Sequence, residues 1–237
     1  LKSVALVTGG AKRLGREMAC MLANAGYDIA LHYRSSKSAA HEVRTEIERI
    51  GRRCFCVRGD LKDPEFYPQC IDTVTKTLGA ISLLINNASI FEKIPFEDSG
   101  QKTFNDYFDV HVRAPFFLSQ AYALTGAKGA IINILDSGAD RYGQEAFVYT
   151  LSKKSLKELT LMLAKTLAPN IRVNGICPGP ILPPADADRH YLNAVAENTP
   201  MKQPGNVNDI LSALHYLMQS DYVNGEILYV DGGQRLM

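Results

Sequence analysis

Two side chains able to move a proton stand one helical turn apart, Tyr149 and Lys153 in "YTLSK" (149–153). The i, i+4 spacing puts the phenol and the ammonium on one helix face. A neighbouring cation favours phenolate, so Lys153 is expected to lower the tyrosine reference pKa of about 10. Near the other end, "TGGAKRLG" (8–15) is a glycine-bearing turn between the apolar run Val4 to Val7 and an amphipathic stretch. Strand, glycine turn and helix start together bring backbone N–H groups and a helix N-terminus against a phosphate. The pattern GxGxxG does not fit this turn. The pattern GxxxxGK[ST] almost fits at Gly10 to Gly15, but Arg16 and Glu17 occupy the Lys and Ser/Thr positions. Without a hydroxyl for magnesium, nucleoside triphosphate hydrolysis is disfavoured. In "HYRSSKS" (32–38), Arg34 is flanked by His32, Ser35 and Ser36, and no acidic residue stands between Asp28 and Glu42. In a dinucleotide site a free ribose 2′-hydroxyl asks for a carboxylate at this point. A cation with hydroxyls suits a 2′-phosphate instead. The plainer alternative is a solvated helix start capped by Ser35 or Ser36.

The elements that must hold these groups follow from alternation. Short aliphatic or β-branched runs at 3–8, 28–33, 54–59, 81–87, 129–135, 171–177 and 226–231 read as strands. Between them, 13–26, 37–51, 64–78, 104–125, 147–168 and 206–219 read as helices; in 37–51, Ala40, Val43, Ile47 and Ile50 share a face and Gly51 is the stop. Such alternation predicts an α/β fold: a single-domain, Rossmann-like, doubly wound parallel sheet of about seven strands with helices on both faces. Ligands of such sheets bind beyond the carboxyl ends of the strands. The chemistry should therefore follow Val7, Tyr33, Ile85, Leu135 and Cys177.

The bulk properties fit one enzyme-sized domain over 1–237. The chain has 237 residues, 46% hydrophobic and 22% charged, and a chain of this length buries roughly 70–75% of its unfolded surface. A net charge of +1 gives no electrostatic argument for nucleic acid or an anionic membrane. No apolar run approaches the ~18 residues of a membrane helix. No secretory signal is visible, and the chain does not begin with Met, which leaves upstream residues open. Cys20, Cys54, Cys56, Cys70 and Cys177 form no CxxC pair and read as small core residues of a reduced, cytoplasmic protein. The histidines show no metal-ligand spacing, so no metal is expected.

Four motifs in this order, the glycine turn, "HYRSSKS", "INNASIF" (85–91) and "YTLSK", resemble the short-chain dehydrogenase/reductase family. The resemblance covers essentially the whole chain and extends to "GDL" (59–61), "PGPI" (178–181) and the closing "DGG" (231–233). It implies a nicotinamide cofactor, here NADPH, held by Gly9, Lys12, Arg13, Leu14, His32, Arg34, Ser35, Asp60, Leu61, Asn87, Ala88, Ser89, Pro178 and Gly179. Asp60 matches the family's adenine contact. Asn86 and Asn87 can equally be read as stabilising a tight turn.

The departures from the family pattern are more specific. Arg13 stands where the family's turn has its middle glycine. Asp136, in "INILDSG", stands 13 positions before Tyr149, where the family has its serine, and His111, in "DVHVRAP", replaces a helix asparagine that helps hold a relay water. Arg13 and Asp136 together resemble the pteridine reductase and dihydromonapterin reductase branch. That resemblance implies an Asp136–Tyr149–Lys153 catalytic set. It also implies a substrate subsite of Arg13, Ser89, Phe91, Asp136 and Tyr149, with Phe91 stacking on a pterin. Ordinary packing remains the alternative for Phe91, and a strand-end cap with Ser137 doing the serine's work the alternative for Asp136. A carbonyl reductase, such as a 3-oxoacyl-carrier-protein reductase, and a non-catalytic cofactor-sensing protein are the competing functions. Residues 182–204 are expected to form a mobile substrate lid. Family analogy implies a homotetramer built on 104–125 and 147–168, with a small-molecule substrate and no nucleic acid or membrane partner.

Overall fold

The computed structural model describes residues 3–140, 145–183 and 188–237. Strands β1 (Val4–Val7), β2 (Asp28–Tyr33), β3 (Cys54–Arg58), β4 (Ile81–Asn86), β5 (Gly129–Ile134), β6 (Ile171–Pro178) and β7 (Ile227–Val230) form one sheet. Every pairing is parallel, in the order β3-β2-β1-β4-β5-β6-β7. The chain winds outward from β1 to β3, then crosses back to begin again at β4. The order therefore reverses between β1 and β4, which opens a crevice at their carboxyl ends.

The helices are α1 (Arg13–Asn24), α2 (Lys37–Arg49), α3 (Phe66–Leu78), α4 (Gln101–Phe108), α5 (Ala114–Leu124), α6 (Phe147–Leu167), α7 (Arg189–Ala196) and α8 (Val207–Gln219). Successive strand residues point to opposite faces, and both faces are dry. Ala5, Val7, Ile29 and Leu31 pack under α1, α2 and α8 through Met18, Leu22, Val43, Ile47, Ile210 and Leu214. Val4, Leu6 and Ala30 pack under α3, α5 and α6 through Ile71, Val74, Leu118, Tyr122 and Ala164. Each fully buried aliphatic side chain contributes on the order of 1.5–3 kcal/mol. Glycines end the first three helices in the left-handed region, Gly26 at φ +96°, Gly51 at +85° and Gly79 at +109°, conformations that strain residues with a Cβ.

Two elements differ from the sequence reading. The helix expected over 104–125 begins at Gln101 and is broken by a π-helical turn, Asp109–Arg113, between α4 and α5. Hydrophobic spacing alone does not distinguish a π turn from a continuing α-helix. The second is α7, in the stretch expected only as a lid. Asp188 caps it, its Oδ1 accepting the N–H groups of His190 (2.9 Å) and Tyr191 (3.1 Å). Residues 184–187 of the expected lid lie outside the described residues. At the amino end of the sheet, buried Asp28 pairs with Arg53 (2.7 Å) and Arg52 (2.8 Å). All five cysteines are free, and only Cys56 is not buried. No helix among the described residues is long and apolar enough to cross a membrane.

Candidate active site

A cavity of about 600 Å³ opens at the carboxyl edge of the sheet, and every residue singled out as a cofactor, substrate or proton-transfer group lines it. One end is the β1–α1 turn. Gly9 has φ +63°, and a Cβ on Gly15 would lie 2.3 Å from the Gly9 carbonyl oxygen, so the helix start and the turn meet at a distance only glycine permits. Asn87 holds this turn from the neighbouring strand, its Nδ2 donating to the carbonyls of Thr8 (2.9 Å) and Gly9 (3.3 Å). Thr8 Oγ1 in return accepts the N–H groups of Asn87 (2.9 Å) and Ala88 (3.0 Å). Asn86 does something else: it bonds Asn133 across the sheet at 2.8 Å.

His32 is used by the protein itself. The Gly9 N–H donates to its Nδ1 at 3.2 Å, so Nε2 carries the proton and donates to the Gly59 carbonyl at 3.2 Å. Burial pushes its pKa down to about 4, keeping the ring neutral. His32 thus lines the cavity as a brace between the glycine turn and "GDL", with neither nitrogen left for a ligand. Lys12 and Arg34 are different. Both are exposed on the cavity wall and have no hydrogen-bond or ion-pair partner among the described residues. Ser36 does take the N-cap position of α2, though without a side-chain hydrogen bond to the helix start. Unpaired cations beside Ser35, with no carboxylate at the end of β2, fit a 2′-phosphorylated dinucleotide.

Arg13 occupies φ +53°, the left-handed region, which explains why glycine is usual there. Its guanidinium donates to the Pro183 carbonyl at 2.5 Å, reaching across the cavity mouth to the start of the expected lid. Phe91 is 46% exposed and meets the Tyr149 ring edge-on at 4.8 Å, so it is a cavity wall and not core packing.

The proton-transfer groups converge at the ends of β5 and α6. The Tyr149 hydroxyl donates to Asp136 Oδ2 at 2.7 Å, and Asp136 Oδ1 accepts the Gly138 N–H at 2.6 Å. Ser137 is turned away, buried and donating to Gln234 Oε1 at 2.7 Å, so it does not take the serine's place. The expected lowering of the Tyr149 pKa is reversed. Burial and then the adjacent Asp136 carboxylate push it well above the ordinary value. Lys153 Nζ lies 5.9 Å from the ring centroid and donates to the Ile134 carbonyl at 3.0 Å. Burial brings the Lys153 pKa down to about 8. The i, i+4 spacing took account of the cation alone; burial, and then the Asp136 carboxylate, set the direction of the shift.

Sequence reasoning missed the far wall of the cavity, made by Leu182 and by Tyr191, Leu192 and Val195 of α7. The signal was present: Asp188 as cap, followed by apolar residues at helical spacing. It also missed Gln234 and the role of "DGG", whose Asp231 backbone lies so close to Gly179 that a Cβ there would approach to 2.5 Å. The closing turn thereby fixes "PGPI" against the cavity.

A parallel sheet reversed at this crevice, with a phosphate-sized glycine turn and a Tyr–Lys pair beyond β5, defines a dinucleotide-binding oxidoreductase. A family model described as enoyl-(acyl carrier protein) reductase matches residues 9–235. The chain belongs to the short-chain dehydrogenase/reductase family. Among solved structures it is similar to FolM alternative dihydrofolate reductase 1 from Brucella suis in complex with NADP, with a TM-score of 0.94 and 28% identity over 99% of this chain and 96% of that one. It is also similar to a blue fluorescent protein from a metagenomic library in complex with NADPH, with a TM-score of 0.91 and 34% identity over 98% and 97%. Among curated relatives, 2-dehydro-3-deoxy-D-gluconate 5-dehydrogenase from Escherichia coli (strain K12) is 31% identical over 97% of this chain and 94% of its own.

Proposed function

We propose that this chain is an NADPH-dependent reductase of a pterin or dihydropterin. The observation that carries the reading is Asp136, 2.7 Å from the Tyr149 hydroxyl where the family has a serine, with Ser137 turned away. NADPH, when bound, supplies the hydride. Lys12, Arg34 and Ser35 hold its 2′-phosphate, the turn at Gly9 its pyrophosphate, and Asp60, Asn87 and Pro178 the rest of the dinucleotide. Arg13 and Phe91 hold the substrate ring.

Reducing a ring C=N bond leaves an electron pair on nitrogen that must take a proton. Burial and the Asp136 carboxylate keep that proton on Tyr149 Oη until the substrate nitrogen draws it off. Lys153, near 8, then supplies a proton at neutral pH, which Asp136 takes up and passes to the phenol oxygen before accepting the renewed hydroxyl again. Carbonyl reduction is the second reading, favoured by relatives named as dehydrogenases of oxo acids. Residues 182–204, including α7, serve as the lid, latched by Arg13 through Pro183. Exposed Phe104, Phe116, Phe117 and Met162 on α4, α5 and α6 support a homotetramer assembled through those helices. Free cysteines and the pyridine cofactor suit a cytoplasmic setting.

Steady-state NADPH oxidation with dihydrobiopterin, an oxo sugar acid and acetoacetyl thioester tests this. The dihydropterin should give the largest kcat/KM. A larger value with either carbonyl substrate would overturn the reading, and no turnover with any of them, despite tight NADPH binding, would favour a cofactor-sensing role.

A further inference from the structure

His111 sits fully buried in the π turn, 1% exposed, with both ring nitrogens engaged. The Ile90 N–H points at Nε2 from 3.2 Å. A backbone amide can only donate, so Nε2 carries no proton. The ring is neutral because burial, and then the nearby Lys153 ammonium, hold its pKa well below the ordinary histidine value. Nδ1 therefore holds the proton and donates it to Ser152 Oγ at 2.8 Å, and Ser152 donates its own to the Tyr149 carbonyl at 2.7 Å. One direction runs along the whole chain of bonds.

The consequence falls on Ser89, whose hydroxyl lies 3.0 Å from the same Nε2. Two lone pairs cannot face each other at that distance, so Ser89 donates to the imidazole, sharing the Nε2 lone pair with the Ile90 N–H; the Ile90 carbonyl, at 3.4 Å, is a longer second acceptor for the same proton. Its oxygen keeps only lone pairs for the cavity it lines. The Asp136 carboxylate in the same cavity is likewise an acceptor, receiving from Tyr149 and Gly138.

We propose that His111 is a specificity-determining residue which fixes Ser89 as a one-way hydrogen-bond acceptor. The wall beside Phe91 then selects heterocycles that present an amino or imino N–H over ones that present a carbonyl oxygen. This rests on the pterin reading and refines it: the substrate is an amino-substituted ring, recognised through its donors. A serine free to rotate would accept either polarity; one pinned by a bare imidazole nitrogen leaves an oxo group facing an oxygen lone pair. Placing two unmatched acceptors together forfeits a hydrogen bond and strands a desolvated group.

The test uses two rings of one shape and inverted edge polarity, 2,4-diaminopteridine and pteridine-2,4-dione, binding to the NADPH-saturated protein. Affinities come from quenching of cofactor fluorescence. The parent should prefer the diamine by about tenfold or more, the equivalent of one such bond. His111→Phe leaves the Ser89 hydroxyl only the long 3.4 Å bond to the Ile90 carbonyl, which a ligand acceptor can displace, and the preference should narrow several-fold, chiefly through tighter binding of the dione. His111→Gln carries an oxygen that can replace Nε2 as acceptor and should restore the preference. That recovery is one a general loosening of the site would not produce. Equal affinity for both rings in the parent, or an unchanged ratio in His111→Phe, overturns the polarity inference while leaving the pterin reading intact. Failure of both rings to bind while NADPH binds overturns both.

Discussion

Replacing Asp136 by asparagine keeps the shape of the side chain and reverses what it offers Tyr149. In the parent, both carboxylate oxygens are used: Oδ1 accepts the Gly138 N–H at 2.6 Å and Oδ2 accepts the Tyr149 hydroxyl at 2.7 Å. Asparagine has one oxygen. With that oxygen claimed by the fixed Gly138 N–H, its NH₂ faces the phenol, and Tyr149 turns from donor into acceptor. The variant thus loses a charge-assisted bond of roughly 1.5–3 kcal/mol, equivalent to about 10–100-fold in rate. It also loses a group that can ionise. One acid–base group contributes on the order of 10²–10⁴, so dihydropterin turnover should fall at least 10²-fold. The loss belongs in kcat, because the residues proposed to hold the 2′-phosphate and pyrophosphate, Lys12, Arg34 and the Gly9 turn, are not bonded to Asp136. Asp136→Ser provides the control: it restores the family's usual residue, should lose dihydropterin reduction to a similar degree, and should keep or gain activity on an activated ketone. The assay is stopped-flow NADPH oxidation at saturating cofactor, with kcat and KM for both substrates and NADPH affinity by fluorescence. Dihydropterin reduction by Asp136→Ser at the parental rate would refute the reasoning and reduce Asp136 to a cap on the β5 end.

Three further outcomes follow from the same geometry. Arg34→Asp should weaken NADPH binding at least about tenfold, one charge-assisted bond's worth, and should spare NADH; titration of both cofactors checks it, and equal affinity in the parent would remove the assignment. Arg13→Gly relieves a left-handed residue that costs about 1–2 kcal/mol, offset by about 0.5–1 kcal/mol of glycine chain entropy. Urea unfolding should therefore show it equal to the parent or slightly more stable, Arg13→Ala should gain nothing, and both should bind dihydropterin more weakly. At Asp28, burial alone would raise the pKa, but the bonds from Arg53 and the charge of Arg52 outweigh it and the net shift is downward. A carboxyl depressed in the folded state adds stability above its unfolded pKa of about 3.9 and loses it as pH falls through the folded value. Asp28→Asn should cost about 3 kcal/mol at neutral pH, the lower end for a broken buried pair because Arg53 is half exposed. The gap from the parent should close in acid denaturation curves.

What the sequence disclosed depended on whether a residue's role was local. The strands were legible because both faces of the sheet are buried, which makes each strand a short continuous apolar run such as "VALV" or "IALHY". Helix ends at Gly26 and Gly51 were legible because a positive φ names its own residue. The cavity wall was legible because a doubly wound fold sends the ends of β1, β2, β4, β5 and β6 to one edge. What was lost depended on distance. The Tyr149 pKa reverses because the fold buries the phenol and then sets a carboxylate from 13 residues away 2.7 Å from its oxygen. His32 was read as a ligand contact because its position gave no hint that Gly9 and Gly59 would occupy both of its nitrogens. The π turn under His111 leaves no trace in hydrophobic spacing.

The glycine given up at position 13 joins these strands of argument. A non-glycine residue at φ +53° is strained, and strain of this kind persists only where the surroundings over-determine it. Here the surroundings are identifiable. His32 and Asn87 clamp the turn through Gly9, Thr8 braces Asn87, and Gly15 packs within contact of the Gly9 carbonyl. A turn held this firmly cannot relax to accommodate Arg13; the arginine takes the dihedral the turn imposes. What that conformation secures is direction. From the left-handed region the guanidinium reaches over the mouth of the cavity as far as the Pro183 carbonyl. A planar group with several fixed donors can there bond to phosphate, to a ring acceptor and to the lid backbone in turn. The Ser89 and Asp136 walls supply acceptors, and the Arg13 guanidinium adds donors to the lining of the same cavity. On the proposed reading, a ring bound among them needs donors on one edge and an acceptor on another, which an aminopterin offers and a simple ketone does not.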